Sequence, residues 1–382
     1  MRTPSHIAPA HRHRQKPATF DLAVIGGGPA GTCAAITAVR AGARVLLVER
    51  GRLPRQRVCG EFVSAESLAL LAALLAGSAP ALLSGAVRIP QARLFFDGHS
   101  VHAPIDPPAA SIARFDLDFT LWQAAQQAGV STRLETTIES MTGSGPFTLR
   151  TEAEELHVRA VINASGRWSN LTPSGSDPLP DQKEKWLGLK AHFSERSPHP
   201  SVDLYFFEGG YCGVQPVELA GSREDRINAC AMVRSDIARS LPEVFALHAD
   251  LSVRARKWQP LMEPVRTSPL IFREPEPVEN GVLMVGDAAA FVDPFIGDGI
   301  SLALRSGELA GECLVPFFKS EISLAEAAKQ YERAYRNRLL PVFRNSSQLR
   351  RLLRLPRPLR KSVGHLLETA PALSRLLVRM TR

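Results

Sequence analysis

The chain has 382 residues, enough to bury a sizeable core, and its formal charge of +8 sits at its ends. From Pro341 onward ten Lys/Arg face a single Glu368, and Arg2, Arg12, Arg14 and Lys16 stand in a first stretch of twenty residues without an acid. Five cysteines with no C-x-x-C pair, no secretion-type apolar segment and no His/Cys cluster at ligand spacing argue against a disulfide framework or a metal site, and for a reducing, cytoplasmic compartment.

Residues 1–18 are rich in Pro, His and Arg and read as a disordered basic tail. Residues 20–25 (FDLAVI) form an apolar, β-branched run, the pattern of a buried strand. Gly26, Gly28 and Gly31 then fill a G-x-G-x-x-G turn. Gly26 suits the tight bend, Gly28 lets the backbone approach a pyrophosphate, and Gly31 lets the next helix pack on the strand. Pro29 has no N–H to leave unpaired in a first helical turn, and Ala30 follows it. The helix over residues 29–41 aims its amides and positive dipole end at phosphate. A second strand, residues 44–48 (RVLLV), closes at Glu49, where an acid can take the hydroxyls of an adenosine ribose. Glu49 suits a free ribose 2′-OH, so FAD and NAD fit and NADP does not. Arg50 lies either against the adenine or in solvent.

Residues 67–87 carry no charge, but Gly77-Ser78-Ala79-Pro80 interrupts them. The unbroken apolar part, residues 68–76, is too short to cross a bilayer, and reads as a buried helix followed by a turn. A helix is expected over residues 115–128, opened by Arg114, and a strand over 130–138. Further strands fall at 94–96, 187–193, 202–207, 211–217 and 226–233, with Gly209-Gly210 as a hairpin turn.

Residues 282–285 (VLMV) end at Gly286-Asp287, an acid at the carboxyl end of a strand, where ligands bind in open α/β sheets. Asp287 is thereby a candidate partner for the ribityl or pyrophosphate portion of FAD. Asp293-Pro294 and Gly297-Asp298-Gly299 follow, and a helix begins at Ile300. Its N-terminus can place N–H groups beside flavin O2 and N1, where reduced flavin carries negative charge. Asp298 reads equally as part of that site or as an ordinary N-cap acid. Turn and late segments in this order point to a flavoprotein.

GGGPAG, the ASGRWSN stretch at 164–170 and GDAAAFVDPFIGDGISLALRSGELA at 286–310 resemble the FAD-dependent geranylgeranyl reductase and aromatic-hydroxylase superfamily, of p-hydroxybenzoate hydroxylase fold. The flavin-dependent halogenases are a neighbouring branch, whose W-x-W-x-I-P motif is missing. The resemblance spans roughly residues 20–340. Cys59-Gly60 after the second strand is similar to the reductase-like branch, which implies a thiol near the flavin, as proton donor or pocket wall; Cys59 reads equally as a small buried packing residue. Glu61 is a candidate general acid or a partner in a simple salt bridge. Arg114 matches the position where the family sets Arg or Gln beside the ribityl chain. Tyr211-Cys212-Gly213-Val214-Gln215-Pro216 is similar to a Y-x-W-x-F-P substrate motif, with Gly213 and Gln215 in place of Trp and Phe.

The expected fold class is α/β. A Rossmann-like FAD-binding domain (19–85, 106–184, 273–340) is interleaved with a β-sheet substrate domain (86–105, 185–272), and a basic helical region (341–382) follows. The resemblance implies FAD, with NAD(P)H or a redox protein as electron donor, and a hydrophobic small-molecule substrate. Reduction of C=C bonds by reduced flavin is the leading expectation. Monooxygenation with NAD(P)H and oxygen is the alternative, with halogenation and redox-free prenyl binding behind it. In the C-terminal region, leucines at 349, 352, 353, 373, 376 and 377 oppose arginines, which suits docking on the body or peripheral contact with anionic lipid. Nucleic acid is not expected, since no aromatic stacking platform accompanies the charge.

Overall fold

The computed structural model describes residues 19–76, 79–96, 98–167, 185–222, 224–270, 272, 274–291 and 297–344. Among them, apolar runs assemble a first sheet in the order Val278–Glu279, Val282–Met284, Glu155–Asn163, Phe20–Ile25, Val45–Val48, Ser131–Arg133. All neighbours in this series are parallel except the first two. Phe20–Ile25 is central, and its Leu22, Ala23 and Val24 are fully buried, as a parallel strand covered on both faces must be. The antiparallel hairpin Ser140–Gly143/Phe147–Arg150 extends this sheet from Glu155–Asn163.

The helices Pro29–Arg40 and Gly299–Phe318 pack on each other through glycine. A Cβ at Gly307 would sit 2.2 Å from the Ala30 carbonyl oxygen, and one at Gly311 would sit 2.8 Å from Thr37. Leu324–Arg338, opened by a Ser323/Glu326 capping box, closes the layer; its buried Tyr331 hydroxyl donates to the Met284 carbonyl at 2.7 Å.

The second sheet runs Gln259–Pro260, Trp186–Ser194, Arg226–Arg234, Gly210–Pro216, Val202–Phe207, Val87–Phe96, His99–Ser111, Phe62–Val63, with Val265–Leu270 also paired to Trp186–Ser194. One face buries Leu189, Val214 and Val233 under the short helices Leu241–Ala246 and Ala249–Ala255, with Phe245 of the first helix and Trp258 in the same cluster. The other face lines the cavity described below. Gly209, at φ +79°, makes the expected hairpin turn between Phe207 and Gly210.

Three features depart from the sequence expectations. The strand foreseen at 130–138 is only Ser131–Arg133, because the chain turns away at Glu135, which adopts φ +52°. The second sheet also reaches further than 86–105 on this side. Phe62–Val63 pairs with Ala110 and Ser111, and the ladder between Val87–Phe96 and His99–Ser111 jumps from Ile89–Ala109 to Gln91–Pro104. Pro104, Pro107 and Pro108, which read as strand breakers, stand at that irregularity. The helix expected within the uncharged stretch is Ala65–Leu75, which starts two residues before that stretch and so includes Glu66, and it buries one face (Ser67, Leu71, Leu74, Leu75) rather than its whole surface.

No helix among the described residues is long and apolar enough to cross a membrane. The N-terminal tail, residues 168–170 of the middle motif, Pro294 and the leucine–arginine pattern beyond 344 lie outside the described residues.

Candidate active site

The three motif segments converge. Gly26 N–H donates to the Val48 carbonyl at 2.7 Å and Ala164 N–H to the Ile25 carbonyl at 2.8 Å, so turn, second strand and middle segment meet at one sheet edge. Asn163 holds the middle segment's bend, its Oδ1 accepting from Ser165 N–H at 3.0 Å and Ser165 Oγ at 2.6 Å. Arg167 then reaches the late segment. Its Nε lies 3.6 Å from Asp287 Oδ2, and its guanidinium covers the Phe291 ring at 4.4 Å. Sequence reasoning gave Arg167 no role of its own, although it stands within the quoted motif.

Around this junction lies a cavity of about 630 Å³, within the range of small-molecule and cofactor sites. The first glycines divide their roles as expected. A Cβ at Gly26 would meet the Ala164 carbonyl oxygen at 2.2 Å, and one at Gly31 the Gly26 carbonyl oxygen at 1.9 Å. A Cβ at Gly28 would meet only the Arg114 guanidinium, at 3.9 Å. Gly60, Gly166 and Gly299 also line the cavity, and a Cβ on any of them would meet nothing within 4 Å. Bare backbone edges are thus kept where the protein itself has room for side chains.

Two helix N-termini face the same space without a side-chain cap or a first-turn acid: Pro29–Arg40, after Gly28, and Gly299–Phe318, after Asp298. Uncapped N–H groups with a positive dipole end receive anionic or electron-rich atoms. Glu49, 5% exposed, ends the second strand, its Oε2 accepting Gly27 N–H at 2.9 Å and its Oε1 accepting Gly51 N–H at 2.9 Å and Arg55 at 2.6 Å. Pro29, Ala30, Arg50, Gly286, Gly297 and Ile300 join it on the cavity wall. Gly297 takes φ +74° against the Phe62 ring, and Gly286 N–H donates to Ser306 Oγ at 2.9 Å.

The surroundings tune the charges. Burial raises the Asp287 carboxyl, and Arg167 and Arg114 pull it back. Burial lifts Asp298 to about 6 against the pull of Arg305, Ser301 and Ser64. Asp298 caps no helix N–H, so the ordinary N-cap role does not describe it. Arg114 grips Asp118 through two bonds of 2.7 Å; burial works against its charge, but Asp118 holds it charged. Burial raises the Cys59 thiol against the pull of Arg114, leaving Sγ protonated at neutral pH.

Glu61 is a correction. It is fully buried at φ +62°, ion-paired to Lys190 and bonded through Oε2 to His192 Nε2 at 2.8 Å. Its Oε1 also accepts Arg114 N–H at 2.9 Å. Burial pushes its carboxyl up, but the Lys190 charge and the His192 hydrogen bond outweigh this and bring it to about 2. An ionised carboxylate has no proton to give, so the general-acid role expected of Glu61 does not hold. Lys190 and His192, both fully buried on Trp186–Ser194, were not foreseen as part of the site.

A model of the FAD dependent oxidoreductase family matches residues 21–64, the turn, second strand and Cys59–Glu61 loop. The menaquinone reductase of Mycolicibacterium smegmatis is 26% identical over 324 residues, 77% of this chain and 76% of that protein. Digeranylgeranylglycerophospholipid reductase 2 of Methanopyrus kandleri is 28% identical over 335 residues, covering 82% and 81%. The chain is an FAD-dependent oxidoreductase. Among solved structures, the FAD-dependent halogenase of myxobacterial chondrochloren shares the fold at TM-score 0.71 and 22% identity, over 86% of this chain and 83% of that one. That likeness concerns architecture alone.

FAD fits the residues present. The Gly28 edge and the first helix N-terminus suit the pyrophosphate, Glu49 the ribose, Asp287 with Arg114 the ribityl region, and Gly299 with the late helix N-terminus the flavin ring.

Proposed function

We propose that this oxidoreductase reduces a C=C bond of a hydrophobic molecule, as a geranylgeranyl reductase-like enzyme. The observation that carries this reading is Cys59. Its thiol lies on a cavity wall that joins the flavin-binding segments to an apolar face of Leu94, Val202, Leu204 and Met232. C=C reduction needs hydride at one carbon and a proton at the other. When bound, FAD supplies the hydride chemistry.

The chain's own residues do the rest. The apolar wall excludes water and orients the substrate against the flavin-binding edge. Cys59 Sγ holds the proton, and Glu61 fixes the loop that carries it through Arg114 N–H and Lys190. Electrons arrive from transiently bound NAD(P)H or from a redox protein. The two reductases similar in sequence support this reading through their names.

The test is anaerobic. Reduced, FAD-loaded protein is mixed with a panel of polyprenyl alcohols and polyprenyl quinones, following flavin absorbance and product mass. Flavin reoxidation matched by two hydrogens gained at a side-chain double bond is expected. A parallel run in air is the counter-test: no anaerobic reduction product, together with products that take up an oxygen atom in air, overturns the reading in favour of monooxygenation.

A further inference from the structure

The register of the second sheet sorts the cavity-facing side chains into rows. Gln215 pairs with Asn228 and Asn228 with His192; Gly213 pairs with Cys230 and Cys230 with Lys190; Tyr211 pairs with Met232 and Met232 with Gly188. Partners across an antiparallel ladder share a face, so a polar row stands at one end and an apolar row at the other. The middle row continues into Leu204 beside Gly213 and Leu94 beside Leu204, and the apolar row into Phe206 beside Tyr211.

Gln215 is the odd residue on this wall. It is 2% exposed, lines the cavity and donates through Nε2 to Ser111 Oγ at 2.7 Å, with Ser111 itself 1% exposed. Its Oε1 accepts no hydrogen bond among the described residues. An amide half-satisfied on a cavity wall is costly if a hydrocarbon covers it. Beside it, Gly213 presents bare backbone to the cavity, and a Cβ there would press on Leu204 at 3.3 Å. The similar motif has aromatic residues at both positions, so here aromatic surface is exchanged for a backbone edge and one polar group.

We infer that Gln215, oriented by Ser111, is a specificity-determining residue that binds a neutral oxygen, hydroxyl or carbonyl, on an otherwise apolar substrate. The substrate body lies along Leu94, Leu204, Tyr211 and Met232, and its oxygen meets the amide. With Oε1 turned to the cavity the residue accepts from a hydroxyl. With the amide reversed, Ser111 donates to Oε1 and the NH₂ group serves a carbonyl. This deepens the reading of the cavity as a hydrophobic-substrate site and rests on it.

Binding to oxidised, FAD-loaded protein tests it without turnover. Matched probes are 2-naphthol against naphthalene and 1-tetralone against tetralin, followed by perturbation of the flavin spectrum. At least one oxygenated probe is expected to bind about tenfold tighter than its hydrocarbon, the worth of one hydrogen bond. Gln215→Leu should erase that preference while hydrocarbon affinity holds or rises. Gln215→Met replaces it if the leucine variant loses flavin. Which pair shows the preference tells hydroxyl from carbonyl. Equal binding within both pairs by the native protein, or a preference that survives in the variants, overturns the inference. A failure of C=C reduction alongside an intact preference would count against the reaction and not against the subsite.

Discussion

The backbone N–H of Arg114 donates to Glu61 Oε1 at 2.9 Å, tying the start of a flavin-domain helix to the loop that carries Cys59. Through the same carboxylate, Lys190 and His192 of the second sheet are held to that loop. One buried anion therefore joins both halves of the molecule at the edge of the cavity.

Removing that anion strands Lys190 as an uncompensated buried cation. Glu61→Gln is expected to destabilise the fold by about 3–5 kcal/mol, the cost of breaking a buried pair at one end. Adding Lys190→Met should recover part of the loss, since the unpaired charge goes too. Because the Glu61 pKa is depressed, its contribution is complete above its ordinary value near 4.5 and is lost as pH falls toward 2. Urea unfolding of the native protein and both variants from pH 7 down to about pH 2.5 checks this. A double variant no more stable than Glu61→Gln would contradict it.

The first-turn glycines separate folding from flavin binding. Gly28→Val meets no backbone, so the protein should fold yet purify without flavin, its new side chain occupying the pyrophosphate position. Gly31→Ala places a methyl 1.9 Å from the Gly26 carbonyl oxygen and should lower soluble yield or thermal stability before flavin matters. The ratio of flavin to protein absorbance, read beside a melting curve, distinguishes the two. A yellow, fully loaded Gly28→Val protein would displace the proposed pyrophosphate site.

Much of the cofactor half was legible in sequence because its determinants are local. A glycine turn, a strand and an acid at the strand's end each carry their own spacing, and Gly26, Gly31, Glu49 and Asp287 stand on the structure where that spacing put them. The Glu61 cluster was not legible. Its partners lie 129 and 131 residues away, and only the register of Trp186–Ser194 turns Lys190 and His192 to one face. The edge of the second sheet was hidden for another reason: no spacing in the sequence marks the bulged ladder that carries Pro104, Pro107 and Pro108. The need for glycine at 307 and 311 shows only against Ala30 and Thr37 of the first helix.

Asp298 should make the flavin-free protein pH-sensitive. Its folded pKa of about 6 lies above the ordinary aspartate value of 3.8. The native state then holds the proton more tightly than the unfolded chain. Stability is fully present below about pH 4 and is lost as pH rises through 6. The difference is about 3 kcal/mol at roughly 1.4 kcal/mol per pKa unit. Asp298→Asn is expected to flatten this dependence and raise the melting temperature at pH 7.5. Parallel pH curves for variant and native apoprotein would remove Asp298 as its source.

Cys59→Ser tests the proton-holding thiol. The variant should keep FAD, since the side chain is small and Glu61 still fixes the loop, and should slow substrate-driven reoxidation of reduced flavin more than tenfold. A serine hydroxyl is a far weaker acid than a thiol, so the loss should fall on the step sensitive to solvent deuterium. Rapid mixing in H₂O and D₂O reads both effects. Reoxidation at the native rate, with an unchanged isotope effect, would reduce Cys59 to a packing role.

The basic C-terminal region offers a separate expectation. Its leucines recur at helical spacing opposite arginines from residue 349 onward, a pattern that lies on anionic lipid as readily as it docks on protein. Cationic side chains near such a surface contribute about 1 kcal/mol each, and salt screens them. The full chain should therefore co-sediment with vesicles containing phosphatidylserine at low salt and release at high salt, while protein truncated after Leu340 stays in the supernatant. Should the truncated protein sediment as well as the full chain, the lipid contact belongs elsewhere. Should neither sediment, the leucines serve the body of the protein, and removing them would lower its melting temperature instead.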